Sequence, residues 1–464
     1  MATTQAATSL SKKPIQPHPG RQWNTLEILK ASRIGILALL VLLLIAVATG
    51  ARVHRSAMQT IGRDTASGII AAQHIKAAVA DMDADAADEL LAPPNTVYSS
   101  IKGYEDQRFE AARALIAAAG DVVFGESELT PILAVQTGLG SYERLVQKAR
   151  DLHQERNSSA VDAYFDAASL MDVGLLPAAD LLDQANDAIL ERTYHRQTVA
   201  SFLARAFVAA AGAAALLALL AAQVFLSQRM KRTLNPLLLT ATLITVGLTA
   251  YSLEAMGGSE HQLKVAREDA FTSINALWKA RAIAYEAKSD ESRYLLDPAR
   301  AADPQRSFPT QAALVARPPE GMTPEQLLTS VRAGGHVDGF TGYLADELNN
   351  ITFPGEQEAA YQTLANWEQY LEADRRVRQI ESAGQHQQAV SLSLGTESGQ
   401  AVWAFNQFDQ ALATTLDINQ HAFDASVSQG LSALSGLEIA SSIMIAFTAA
   451  LVILGLAPRI REYE

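Results

Sequence analysis

Cysteine is absent from all 464 residues. That excludes a disulfide framework and any thiolate metal site, so whatever folds here is held by apolar packing. The nine histidines are dispersed, and no pair has metal-ligand spacing beside a carboxylate. No G-x-S-x-G elbow, phosphate loop or dinucleotide fingerprint stands where a strand meets a helix. Alternating β-branched runs are missing while alanine is abundant, so the chain reads as all-α. The expectation is a protein that is not an enzyme, with no catalytic residue, no metal and no cofactor. Positive charge is scarce as well: 51–204 holds 13 Lys/Arg against 22 Asp/Glu, and 254–437 holds 13 against 24. Such acidic segments argue against nucleic acid as a partner.

Four long apolar runs are present. Ala206–Leu226 and Leu234–Leu253 are each about 20 residues and free of charge, enough at roughly 1.5 Å per residue to cross a hydrocarbon core of about 30 Å. The turn joining them carries Arg229, Lys231 and Arg232, which places it in the cytoplasm by the positive-inside rule. Ile34–Gly50 follows Lys12, Lys13, Arg21, Lys30 and Arg33, and Ile439–Leu456 precedes Arg459 and Arg461. The reading is a multi-pass protein of a bacterial plasma membrane with both termini cytoplasmic. It has an inner arm 1–33, span 34–50, outer segment 51–205, span 206–226, turn 227–233, span 234–253, outer segment 254–438, span 439–456 and tail 457–464. The basic flanks suit the anionic lipid of the inner leaflet.

A shift of 205 positions lays Lys76 on Arg281, Asp81 on Glu286, Asp85 on Asp290, Leu90-Leu91 on Leu295-Leu296 and Pro93 on Pro298. It also carries the first span onto the third. The chain therefore reads as an internal duplication of span, outer domain, span.

In the first outer segment Ile75, Val79, Met82, Ala86 and Leu90 step by three and four along one helix face. Pro93-Pro94 ends that helix, and three more follow, the last kinked at Pro177. The expected shape is a four-helix bundle whose first and last helices continue into spans. The second outer segment repeats the plan as a second bundle, with the proline-rich stretch 298–324 read as a loop.

Candidate sites follow from residue type and placement. Lys76 and Arg281 are candidates to hold a ligand carboxylate within each bundle, with ordinary surface pairing the plainer reading. Asp81, Asp85 and Asp88 share a face that is most simply a solvated one. Asn349, Asn350, Phe353, Gly355 and Glu356 form a helix break that reads either as a docking or ligand loop or as a helix cap. Arg205 and Glu438 border the second and fourth spans and are candidates to pair and couple helix sliding; snorkelling into headgroups is the simpler account. The alanine-rich face around Gly212 permits close approach within the chain or in a homo-oligomer.

Several strings carry a family resemblance. They are LADELNNITFPGE at Leu344–Glu356, QAVSLSLG at Gln388–Gly395, FNQFD at Phe405–Asp409, YFDAASLM at Tyr164–Met171, LLPAA at Leu175–Ala179 and the closing PRIREY at Pro458–Tyr463. The chain thereby resembles the GlnX-like bacterial four-span membrane proteins. Their known member works between an amino-acid-binding lipoprotein of the glutamine-transporter type and a soluble Ser/Thr kinase, protein kinase G. The resemblance implies a membrane sensor that relays recognition of an extracytoplasmic solute-binding protein, for glutamine, glutamate or aspartate, to a separate cytoplasmic signalling partner. The inner segments are too short to fold as a kinase or cyclase themselves. A membrane scaffold or assembly factor for an envelope complex is the alternative.

Overall fold

Long proline-free apolar and alanine-rich stretches build the longest helices. The computed structural model describes residues 25–94, 99–120, 122, 125–230, 235–334 and 336–462. The basic positions Lys12, Lys13, Arg21, Lys231 and Arg232 that orient the predicted topology lie outside the described residues. In chain order the helices are α1 Thr25–Leu91, α2 Ser99–Gly120, α3 Glu126–Gln154, α4 Ser159–Gln228, α5 Pro236–Leu296, α6 Ala302–Val315, α7 Pro324–Arg332, α8 Tyr343–Leu348, α9 Glu356–Ser382, α10 His386–Ser393, α11 Ala401–Ala433 and α12 Leu437–Arg461. Among the described residues β structure is limited to an isolated bridge, Arg317 to Thr341. The protein is all-α, and four helical stretches are long and apolar enough to cross a membrane.

The 205-residue offset reappears in the backbone. α1 contains a π-helical turn at Thr60–Thr65 and α5 one at Val265–Ala270, each followed by 26 α-helical residues, Ala66–Leu91 and Phe271–Leu296. A third π-helical turn, Met171–Leu175, lies just before Pro177 in α4. The predicted kink is thus a change of hydrogen-bond register, placed where proline's missing N–H would interrupt the ladder.

The chain divides into two compact units, one of residues 1–48, 206–253 and 437–464, the other of 49–205 with 254–436. In the first, large apolar side chains such as Ile34, Leu217, Leu243, Ile439 and Phe447 face outward, while Ala211, Ala215, Thr245, Ser441 and Thr448 are buried. A surface this apolar suits lipid rather than water. Gly212 packs on Thr249, whose side chain a Cβ at 212 would meet at 2.5 Å, so this close approach lies within the chain. Gln223 donates to Thr242 Oγ1 at 2.8 Å and to the Leu238 carbonyl at 3.1 Å, and Asn235 donates to the Gly455 carbonyl at 2.8 Å.

In the second unit the two outer segments share a single core, where the sequence reading had them as separate bundles. Ala66–Leu91 of α1 lies in parallel against Phe271–Leu296 of α5. The predicted face, Ile75, Val79, Met82, Ala86 and Leu90, is buried, and so is most of the opposite face. An aromatic cluster of Trp367, Tyr370, Phe405 and Phe408, with ring centroids 4.9–5.8 Å apart, anchors α9 to α11. The stretch 298–324 is not all loop. It contains α6, because Pro304 falls in the first turn and only Pro309 sits deeper, while Phe308, Ala312 and Val315 supply a buried face.

Candidate ligand cleft and the charged seam

The seam between α1 and α5 is lined with charge. Asp83 Oδ2 meets Arg293 Nη2 at 2.6 Å, and Asp88 Oδ2 meets Lys288 Nζ at 2.6 Å. All four side chains are at least nine-tenths buried. Tyr142 donates to Asp83 at 3.0 Å, Ser292 to Asp88 at 2.5 Å, and Asp172 and Asp290 complete the shell of Arg293 at 3.0 and 3.5 Å. Asp81, Asp83 and Asp88 are therefore buried and Asp85 nearly so, which corrects the solvated-face reading. The cations that neutralise two of them come from the other half of the chain, 200 or more positions away.

Lys76 and Arg281 also occupy matched surroundings. Lys76 Nζ lies 2.7 Å from Asp180 and 3.5 Å from Glu286. Arg281 grips Asp409 with two bonds of 2.7 Å, and Asp81 and Tyr285 lie beside that pair. Each cation thus has a carboxylate from the returning helix of its own half and one from the long helix of the other half. Both cations are largely buried in pairs between helices, and both are already occupied by carboxylates. Burial, with Asp409 adding to it against Arg281, pushes the Asp81 carboxyl up to about 8. Burial, with Asp81 and Asp88, pushes Asp85 up to about 9. Both are protonated near neutral pH.

On one side of this seam a cleft of about 660 Å³ opens between α1, α2, α5 and α11. Its floor is His74, Trp278 and Arg281, its apolar walls are Ile70, Ala114 and Leu416, and its rim carries Glu110, Arg113, Asp417 and Gln420. A further 210 Å³ recess shares His74, Glu110, Trp278 and Arg281 and ends at Asp81 and Tyr285. The His74 ring is 3.9 Å from the Trp278 ring, and the Arg281 guanidinium lies 5.3 Å from the indole centroid. Burial, together with Arg281 and Arg113, lowers the His74 pKa to about 4, so the imidazole is neutral. Of these residues the sequence reading singled out Arg281 and Asp81. His74 and Trp278 gave no signal, because a lone histidine and a lone tryptophan on long helices look like any others until two helices 200 residues apart meet.

The helix break at 349–356 turns Glu356 inward, sets Asn350 against α5 and leaves Asn349 exposed. Glu356 is fully buried and accepts from the backbone N–H groups of Thr352 and Phe353 at 2.7 and 2.8 Å. Asn350 Nδ2 donates to the Asp269 carbonyl at 2.6 Å and to Ser273 Oγ at 3.0 Å, bracing the break on α5. Asn349 Oδ1 accepts from His336 Nδ1 at 2.8 Å. Phe353 is half-buried against the core, and Gly355 takes the left-handed φ of +86° that lets α9 start. Beneath them Glu347, raised to about 8 by burial despite Ser273 and with Glu356 nearby, is neutral and bonds Asn419. Glu356 thus ties down the turn that precedes α9.

Arg205 pairs with Glu260 at 2.7 Å, the two reaching across from α4 to α5. Glu438 sits in the first turn of α12, where its carbonyl accepts from Ser441 and Ser442 at 3.0 and 2.7 Å.

These features define a class: an all-α protein whose helices include four long enough to span a membrane, with a second compact unit enclosing a cleft. A family described as an actinobacterial sensor domain matches residues 57–195, so the match points to a sensory role. No curated protein and no solved structure matches the chain.

Proposed function

We propose that the chain is a non-enzymatic, internally duplicated membrane receptor. It relays recognition of an amino-acid-loaded extracytoplasmic solute-binding protein, of the glutamine, glutamate or aspartate type, to a separate cytoplasmic signalling partner such as a Ser/Thr kinase. The observation that carries the sensory part is the sensor-domain match over 57–195, the segment between the first and second apolar stretches. Support for the duplication is the 205-residue recurrence of the π-helical turns and of the seam's charge positions. Both termini and the 227–233 turn are assigned to the cytoplasm, and Arg205 and Glu438 to coupling at the outer boundary. A receptor shifts its partner only as far as the partner's affinities for its two states differ.

The test is capture of extracytoplasmic proteins by the purified full-length chain with and without glutamate, aspartate and glutamine. Capture of a solute-binding protein that depends on the amino acid supports the receptor. Capture of envelope proteins regardless of ligand favours the scaffold reading, which fits the buried ion pairs of the seam.

A further inference from the structure

The two guanidiniums at the cleft are already paired with carboxylates, and Asp417 at the rim lies 3.3 Å from His421. Arg281 donates from Nε and Nη2 to the two oxygens of Asp409, and Arg113 donates to Glu110 at 2.6 and 3.0 Å. An anionic ligand would compete with a carboxylate already on each guanidinium, and a cationic ligand would lie beside Arg113 and Arg281, with the exposed Asp417 carboxylate out at the rim. What remains open is apolar wall, the rings of His74 and Trp278, and ring nitrogens on His74 that bond no other described residue. A neutral imidazole offers one N–H donor and one acceptor. The volume lies in the range of small-molecule sites, which are mainly apolar with a few convergent polar groups. The walls come from both halves of the chain: α1 and α2 from the first, α5 and α11 from the second.

We propose that this cleft binds an uncharged aromatic small molecule carrying one hydrogen-bonding group, which packs between Ile70, Ala114 and Leu416 and bonds His74. Such a ligand touches four helices at once, so its occupancy biases how the two halves pack. Its biological meaning as a second input rests on the sensory reading above. The binding itself does not.

The test uses the full chain in lipid nanodiscs, with 2-naphthol as the neutral probe, 2-naphthoate as its anionic analogue and 2-naphthylmethylammonium as its cationic one. Isothermal titration, corrected for empty discs, is expected to give one saturable 2-naphthol site per chain, with both charged analogues about tenfold or more weaker. Ala413→Trp and Ala117→Trp each fill the cleft from a wall that is not core, and both are expected to abolish the site while helical content is unchanged. His74→Ala is expected to weaken 2-naphthol severalfold. No saturable site, binding unchanged in both filled variants, or equal affinity for the three probes would overturn the proposal. Amino-acid-dependent capture of a solute-binding protein is a separate measurement, so its failure with the naphthol site intact removes the receptor reading and leaves the cleft.

Discussion

Asp83 bonds Arg293, and 205 positions relate each of them to the other pair of the seam: Asp83 to Lys288, and Asp88 to Arg293. The two contacts are one contact repeated with its partners exchanged, as in a self-complementary two-fold interface. Lys76 with Glu286 and Arg281 beside Asp81 obey the same exchange. At 83 and 88 the first half is acidic and the second basic, so two copies of the first half placed in this register would bury four facing carboxylates. The halves fit each other better than either fits itself.

Arg293→Met removes the cation that Asp83, Asp172 and Asp290 share. A cost of about 3–5 kcal/mol is expected, because Asp83 and Asp290 stay buried without compensation. Denaturant unfolding of the detergent-solubilised chain measures it. The exchange Asp88→Lys with Lys288→Asp is expected to recover part of what either single change loses, and a zero coupling energy would dissociate the pair from stability.

The pH dependence follows from the buried acids. Asp81 at about 8 and Asp85 at about 9 lie above an unfolded value near 3.9, so the folded state holds protons that the unfolded state has released. Their stabilisation is complete below pH 4 and is lost as pH rises toward 8 and 9. Melting temperature is expected to fall between pH 6 and 9, and Asp81→Asn with Asp85→Asn to flatten that slope. A profile as steep in the double variant as in the parent would assign the slope to other groups.

Glu356→Ala strips two part-buried backbone N–H groups of their carboxylate acceptor, which costs about 1–3 kcal/mol. Gly355→Ala adds strain at φ +86°. Hydrogen exchange at the Thr352 and Phe353 amides is expected to accelerate in Glu356→Ala. A change confined to partner capture, with those amides still protected, would restore the docking-loop reading.

Gly212→Ile drives a branched side chain into Thr249 and is expected to cost about 1–3 kcal/mol through overpacking. Thermal unfolding in detergent reads this directly. Gly247→Ile, at a glycine with open space, is the matched control and is expected to be near neutral.

Topology is testable because the chain has no cysteine of its own. A single Ser227→Cys is expected to react with a membrane-impermeant maleimide only after the cells are opened, and Thr310→Cys in intact spheroplasts. Reversed labelling would invert the assignment.

Sequence by itself determined the helical class, the four apolar stretches, the face of Ile75, Val79 and Met82, and the 205-residue recurrence, because these are local or periodic properties of the chain. It also picked out Lys76 and Arg281 as a matched pair. Whether a buried-looking acid is solvated or paired depends on what packs against it, and Asp83 and Asp88 find their cations in the other half. Only tertiary structure decided that the outer segments share one core, that Glu356 points inward to hold the turn before α9, and that His74 and Trp278 meet on the floor of a cleft. Each of these is a contact between residues distant in sequence, and no periodicity along one helix encodes which second helix will lie beside it.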